Sequence, residues 1–343
     1  MSKKIKKYRY NFAKLIFTIL LLPLILLKSK KGFKLYRDFC YIYPRSEKER
    51  NFNEFPNIKS KLNCLEYHYW DLKKMNLKAE SFKEKDIEHY TLITEKGNIS
   101  CIRAKNTNSK NWVIALHGWT EDKFLALRLV YHYFKKGYNI LSFDAFAHGD
   151  SYGNYTDIGY SSIEMLDEII IDLKNKNNIE NIGLIGNSMG ASTSILYSQK
   201  GLFKKEISWV IADCGFSNIK YQYRYYIQNN FFKKAWWLNG LGFTKRFSRI
   251  TKTNQNKYNL IKNMKLNNQT PIFFIHAIGD TFIPYEMSLD MYNKKISFEV
   301  NKKSSLWTPI GSEHVSVITD YNKEYINRTL DFSKESEKIK NEK

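Results

Sequence analysis

Ile182-Gly183-Leu184-Ile185-Gly186-Asn187-Ser188-Met189-Gly190-Ala191-Ser192-Thr193-Ser194 is the stretch on which the fold turns. Its first four residues form a short apolar run without alternation, the pattern of a strand covered on both faces. From Met189 the residues are small and helix-compatible. Strand, sharp turn and helix therefore meet at Ser188, inside a Gly-x-Ser-x-Gly pattern. Such a turn exposes the serine Oγ and leaves no room for side chains at the flanking glycines. The helix start adds free N–H groups and a partial positive charge, both useful beside a developing oxyanion. Ser188 is thus the candidate nucleophile, and the Met189 N–H the first candidate oxyanion donor.

Outward from this turn, apolar strand-like runs alternate with amphipathic helical ones. Tyr90–Thr94 and Ile99–Ile102 flank Glu95-Lys96-Gly97-Asn98 and predict a hairpin. Trp112–Leu116 precedes a helix near Asp122–Phe134, and Tyr138–Phe143 precedes one from about Ile163 to Lys174. The latter begins with a capping box of Ser161 and Glu164. Ile207–Ala212 and Pro271–Ile275 are two further buried strands. The pattern predicts an α/β chain with a mostly parallel central sheet and helices on both faces. Between Phe216 and about Asn268 the alternation lapses in a run rich in Tyr, Trp and basic residues. This reads as a small cap insertion over one edge, its aromatics lining an acyl pocket or forming the cap's own core.

A serine hydroxyl needs a base oriented by an acid, and in a strand-turn-helix setting the chain order is Ser, acid, His. Of seven histidines, His68 and His89 come too early, His132 sits in a helical pattern, and His276 ends a strand as a structural residue. His314, after the last predicted strand, is the candidate base. Asp280, in the loop after Ile272–Ile275, is the candidate acid. Asp213 is its rival, otherwise a structural carboxylate bonding backbone N–H groups. The second oxyanion donor is expected from His117-Gly118-Trp119-Thr120, with the Trp119 N–H best placed and His117 holding the loop. This chemistry calls for no cofactor and no metal.

Together, His117–Thr120, Asp144–Ser151, Gly186–Gly190, Ile275–Asp280 and His314 resemble the α/β-hydrolase superfamily, specifically the membrane-anchored hydrolases of low-GC Gram-positive bacteria and their relatives. The resemblance covers roughly residues 89–332 and implies an α/β-hydrolase fold with a serine hydrolase activity. Where members usually carry Arg-Gly, this chain has Phe146-Ala147, and Ala277 stands where Gly is frequent. Two-step acyl transfer on an ester, thioester or amide follows, esterase- or lipase-like at the membrane. A peptidase, an acyltransferase or a catalytically silent surface binding protein are the alternatives.

The formal net charge is +21. Nucleic acid, an anionic membrane or acidic substrates would each suit it. The lysines are spread along the chain and no nucleic-acid module is present, so a small-molecule or lipid acyl substrate and a membrane are the expected partners, not nucleic acid. Lys3, Lys4, Lys6, Lys7 and Arg9 precede an apolar run from Leu15 to Leu27, and Lys28, Lys30 and Lys31 follow it. That is the layout of a signal anchor, although the run falls short of the ~20 residues that span a bilayer comfortably. No small-x-small cleavage site follows, so a single-pass N-terminal membrane helix is expected, with the catalytic domain outside the cell. The resulting division is a basic region and anchor over 1–31, a helical connector over 32–80, a catalytic domain over 81–335 with the cap at 216–268, and a charged tail over 336–343. Cys40, Cys64, Cys101 and Cys214 form no CxxC pair and are expected as free thiols.

Overall fold

A computed structural model describes residues 11–27, 64–77, 82–106, 108–230, 236–300 and 302–341. Eight strands form one sheet: β1 (Glu88–Thr94), β2 (Gly97–Ala104), β3 (Asn111–Leu116), β4 (Asn139–Phe143), β5 (Asn181–Asn187), β6 (Ile207–Asp213), β7 (Ile272–Ile275) and β8 (Ser305–Trp307). Their order is β1-β2-β4-β3-β5-β6-β7-β8. β1–β2 and β2–β4 pair antiparallel, and every pair from β4 to β8 is parallel. Among the described residues the α-helices named below are α1 (Phe12–Leu20), α2 (Leu65–Lys74), α3 (Tyr131–Lys135), α4 (Ser162–Lys176), α5 (Met189–Lys200), α6 (Ile219–Asn230), α7 (Trp236–Ile250), α8 (Glu286–Ile296) and α9 (Asn322–Asn341).

Successive strand residues point to opposite faces, and each face has its own core. Ile114, Leu184, Val210 and Phe274 pack with Leu166, Ile169, Ile195 and Met287 on the side of α4, α5 and α8. Val113, Ile185, Trp209, Ile211 and Phe273 pack with Leu127, Tyr133, Tyr325 and Phe332 on the side of α3 and α9. Trp209 stacks on Tyr133 with centroids 5.5 Å apart, and its indole N–H donates to Glu337 Oε1 at 2.9 Å. The boundary expected at residue 335 falls inside α9, and Glu337 is buried.

β3 lies between β4 and β5, so the chain leaves β3 for one side and later returns to the other. The loops after neighbouring strands diverge there and open a crevice at their C-terminal ends. β8 is absent from the sequence expectation: three half-buried residues at the sheet edge carry too little periodicity to mark a strand.

One expectation needs correction. The capping box does not form: Ser161 has helical φ/ψ with no side-chain cap bond, and Glu164 instead meets Lys96 Nζ at 2.5 Å. The Ser161 N–H goes to Asp157 Oδ2 at 2.9 Å. At the N-terminus, the described residues of the expected anchor form the nine-residue α1, a turn at Leu21 and a second helical piece over 22–27. Pro23 lacks an N–H and its ring crowds the preceding turn, which favours a break there. At ~1.5 Å per residue α1 is about half the ~30 Å hydrocarbon thickness. Among the described residues no helix is long and apolar enough to cross a membrane. Most of the expected connector lies outside the described residues, as does Cys40; Cys101 and Cys214 are free thiols.

Candidate active site

Ser188 sits between β5 and α5 with φ 52° and ψ −111°, a backbone that L-residues hold only under constraint. Two contacts supply the constraint. Its N–H donates to the Asp213 carbonyl at 2.8 Å, tying the turn to the end of β6. A Cβ at Gly190 would lie 2.1 Å from the Leu116 carbonyl oxygen, and one at Gly186 2.4 Å from the Gly190 carbonyl carbon. Only glycine lets β3, β5 and α5 approach this closely.

The three predicted polar residues meet in one chain of contacts. His314 Nε2 lies 3.0 Å from Ser188 Oγ, and His314 Nδ1 lies 2.7 Å from Asp280 Oδ2. The Phe282 ring packs against the His314 ring with centroids 4.9 Å apart. Asp280 Oδ1 accepts the N–H groups of Phe282 at 2.9 Å and Ile283 at 2.8 Å, so the carboxylate is clamped by its own loop.

His276 has a more specific place than its sequence position suggested. Its Nε2 lies 3.1 Å from Asp280 Oδ2 and 2.9 Å from the Ile283 carbonyl, while Nδ1 faces Ser288 Oγ at 2.7 Å. The carbonyl can only accept, so Nε2 carries the hydrogen and Nδ1 accepts from the serine. Burial alone would raise the Asp280 carboxyl, but the hydrogen bonds from His276 and His314 hold it well below the usual carboxylate range. The Asp280 oxygens therefore have four donors in all.

Asp213 behaves in the opposite way. Burial pushes its carboxyl up to about 7, and nearby Asp280 adds to the shift against His276 and Tyr325. The expectation that this carboxylate bonds backbone N–H groups is not met: no such bond reaches its side chain, and the residue supports the turn through its carbonyl instead. Cys214, Asp280 and His314 bring ligand-type atoms within 4.8 Å of one another. Burial, with Asp213 and Asp280 nearby, raises the Cys214 thiol well above its ordinary range. A protonated thiol is a poor metal ligand, and the other two atoms already face each other.

The loop after β3 is held from beneath. Ala145 N–H donates to His117 Nε2 at 2.9 Å, and His117 Nδ1 lies 2.7 Å from the Gly118 carbonyl, so His117 shapes the loop as expected. Glu121 was not anticipated. Its Oε2 accepts from Gly118 N at 2.6 Å and Asn187 Nδ2 at 3.0 Å, joining this loop to the serine turn. Its other oxygen pairs with Arg128, whose guanidinium also reaches Asp71 Oδ2 on α2 at 3.0 Å. Burial opposes the Glu121 charge, yet Arg128 and these hydrogen bonds hold its carboxyl at about 2. Trp119 and Met189 both border the pocket at Ser188.

Residues 111–245 match the α/β hydrolase fold family. The sheet order, the turn at Ser188 and this match agree. The chain has an α/β-hydrolase fold. In sequence it is 27% identical over 220 residues to the uncharacterized protein YqkD of Bacillus subtilis (strain 168), covering 63% of this chain and 70% of that one. Esterase Pf2001 of Pyrococcus furiosus is 27% identical, with a TM-score of 0.59 over 75% of this chain and 96% of its own. Est1E of Butyrivibrio proteoclasticus, solved with ferulic acid, shares the fold at 16% identity and TM-score 0.52, over 70% of this chain and 99% of its own.

Within this α/β-hydrolase fold, the stretch expected as a cap, residues 216–268, includes α6 and α7. Ile219, Gln222, Tyr223 and Tyr226 of α6 close over Ser188 and, with Ile158, Phe216 and Phe282, enclose a largely apolar pocket of about 40 Å³. Gln222 Nε2 donates to the Phe282 carbonyl at 2.8 Å, fastening α6 to the loop that carries Asp280. In the Asp144–Ser151 segment, Asp144 meets Lys123 Nζ at 2.8 Å and Asp150 N at 2.9 Å. Ala147, where the resemblance has Gly, holds φ 57°, and Phe146 packs edge-on against Tyr152.

Proposed function

We propose that this protein is a serine esterase that cleaves small acyl esters through a covalent acyl-enzyme. The continuous contact from Ser188 through His314 to Asp280 carries the reading. His314 Nε2 takes the Ser188 proton as Oγ attacks the ester carbonyl. The charge that develops on the carbonyl oxygen falls to the Met189 and Trp119 N–H groups. Asp280 holds the His314 tautomer and stabilises its protonated form. His314 then protonates the departing alcohol and activates water, which releases the acid and restores Ser188. The relationship to an esterase of Pyrococcus furiosus supports an ester as substrate, and the apolar lining at Ser188 supports an acyl group.

Residues 1–31 hold this enzyme at a membrane, with the catalytic domain outside the cell. The support is an apolar helix whose side chains stay exposed, Phe12 by 78% and Leu20 by 69%, between basic stretches of sequence. Protease shaving of intact cells checks the orientation, and an untouched catalytic domain argues against it. For the chemistry, a fluorophosphonate probe labels the folded wild type and leaves Ser188→Ala unlabelled. Absence of label on the folded wild type removes the esterase reading.

A further inference from the structure

The cap has a second cleft, on the other side of α6 from Ser188. Lys220 and Arg224 of α6, Lys245 and Arg249 of α7, and Lys252 just beyond it border an open groove of about 680 Å³. The other five lining residues are Ser, Thr or Asn, and among the described residues no Asp or Glu lines it. Like charges four residues apart on a helix repel along one face. Here two of these pairs, 220/224 and 245/249, border the same space.

The blander account is a solvated basic face. Lys245, Arg249 and Lys252 are exposed and fit that account, but Arg224 at the centre is only 7% exposed. Lys220 turns its ammonium to Asn256 Oδ1, and burial together with Arg224 holds that ammonium below its ordinary range. An open groove of ligand size, five cations and neutral Ser, Thr and Asn donors match a tetrahedral oxyanion with more than one negative charge.

We propose that the cleft between α6 and α7 is an anion site that takes a multiply charged phosphoryl group. The ligand is either a free phosphate compound or the phosphoryl group of an anionic lipid. The site is separate from the Ser188 pocket and stands whether or not the esterase reading does.

The test uses the full chain, titrated with inorganic pyrophosphate by calorimetry at about 0.15 M salt, where exposed charges are screened beyond ~8 Å. Saturable binding is expected, weakened at least about tenfold in Lys245→Gln/Arg249→Gln with an unchanged melting temperature. Should that variant melt lower, the single exposed change Lys252→Gln is read instead. Flotation with phosphatidylcholine vesicles, with and without phosphatidic acid as the multiply charged phosphomonoester headgroup, separates the two sources. Pyrophosphate-competed binding to the phosphatidic acid vesicles alone assigns the site to lipid, and calorimetric binding without such competition assigns it to a free phosphate. Pyrophosphate that fails to saturate and fails to compete with vesicles overturns the proposal, as does equal affinity in wild type and variant.

Discussion

Asp280 and Asp213 follow neighbouring strands, and their surroundings drive their carboxyls in opposite directions. Only Asp280 touches His314 and keeps the charge that an orienting acid needs. Asp280→Asn is therefore expected to lower ester kcat/KM by about 10³–10⁴-fold, whereas Asp213→Asn stays within roughly tenfold of wild type. A dead Asp213→Asn beside an active Asp280→Asn would transfer the role of the acid. The raised Asp213 carboxyl also predicts a pH effect. Its unfolded value is ~3.9 and its folded value about 7, so the native state holds the proton more tightly. The stability this contributes is complete below about pH 4 and is lost as pH rises towards 7. Asparagine has no proton to lose, so Asp213→Asn should gain on wild type between pH 5 and pH 8, by on the order of 1–3 kcal/mol in urea unfolding. A gap that does not change with pH removes this account. Ser188, His314 and Asp280 were readable because strand ends and chain order restrict where such residues stand. The grip of His276 on Asp280 was not readable, since it depends on how one loop folds back on a strand end.

At the level of elements, the sequence yields the strands that have continuous apolar runs and loses those without one, such as β8. Local signatures failed where a tertiary partner competed: Glu164 bonds Lys96 across the sheet edge and leaves the Ser161 cap unmade. The linkage from α2 to the serine turn was equally hidden, because Asp71 lies 57 residues from Arg128 and Asn187 lies 66 from Glu121, so they pair only in the fold. Arg128 is 2% exposed and neutralises both acids. Replacing it with Met leaves two buried carboxylates without a cation, which costs about 3–5 kcal/mol. Urea unfolding of Arg128→Met measures that loss. Glu121→Gln keeps the shape but weakens the acceptor for Gly118 N and Asn187, so kcat should fall more than KM changes. A variant with wild-type kcat would show that the loop holds its form without the charge.

At the scale of the whole molecule, the cap and the sheet define what reaches Ser188. A pocket of about 40 Å³ lined by Phe216, Ile219, Tyr223 and Tyr226 suits a short acyl chain. Each methylene that does not enter forfeits ~0.8 kcal/mol of burial and crowds the cap as well. The p-nitrophenyl butyrate ester is thus expected to exceed the octanoate by at least about tenfold in kcat/KM, with Tyr226→Ala narrowing the ratio. Equal rates on both esters would mean that the cap opens or that the acyl chain lies elsewhere. The same cap meets α1, where the Phe17 and Trp237 rings lie 6.4 Å apart. Because α1 packs on the cap by only part of its surface, Ile19 and Leu20 remain 64% and 69% exposed. Water makes such exposure unfavourable, and a lipid surface relieves it by taking up the apolar face while the basic flanks meet anionic headgroups. Ile19→Ser/Leu20→Ser removes two side chains worth ~1.5–3 kcal/mol each on burial, so partition onto phosphatidylglycerol vesicles should drop by about 100-fold or more. Lys245→Gln/Arg249→Gln changes charge at the far end of α7 and leaves this apolar contribution in place. If the serine variant floats with vesicles as well as wild type does, the N-terminal helix is not what holds the protein at a membrane.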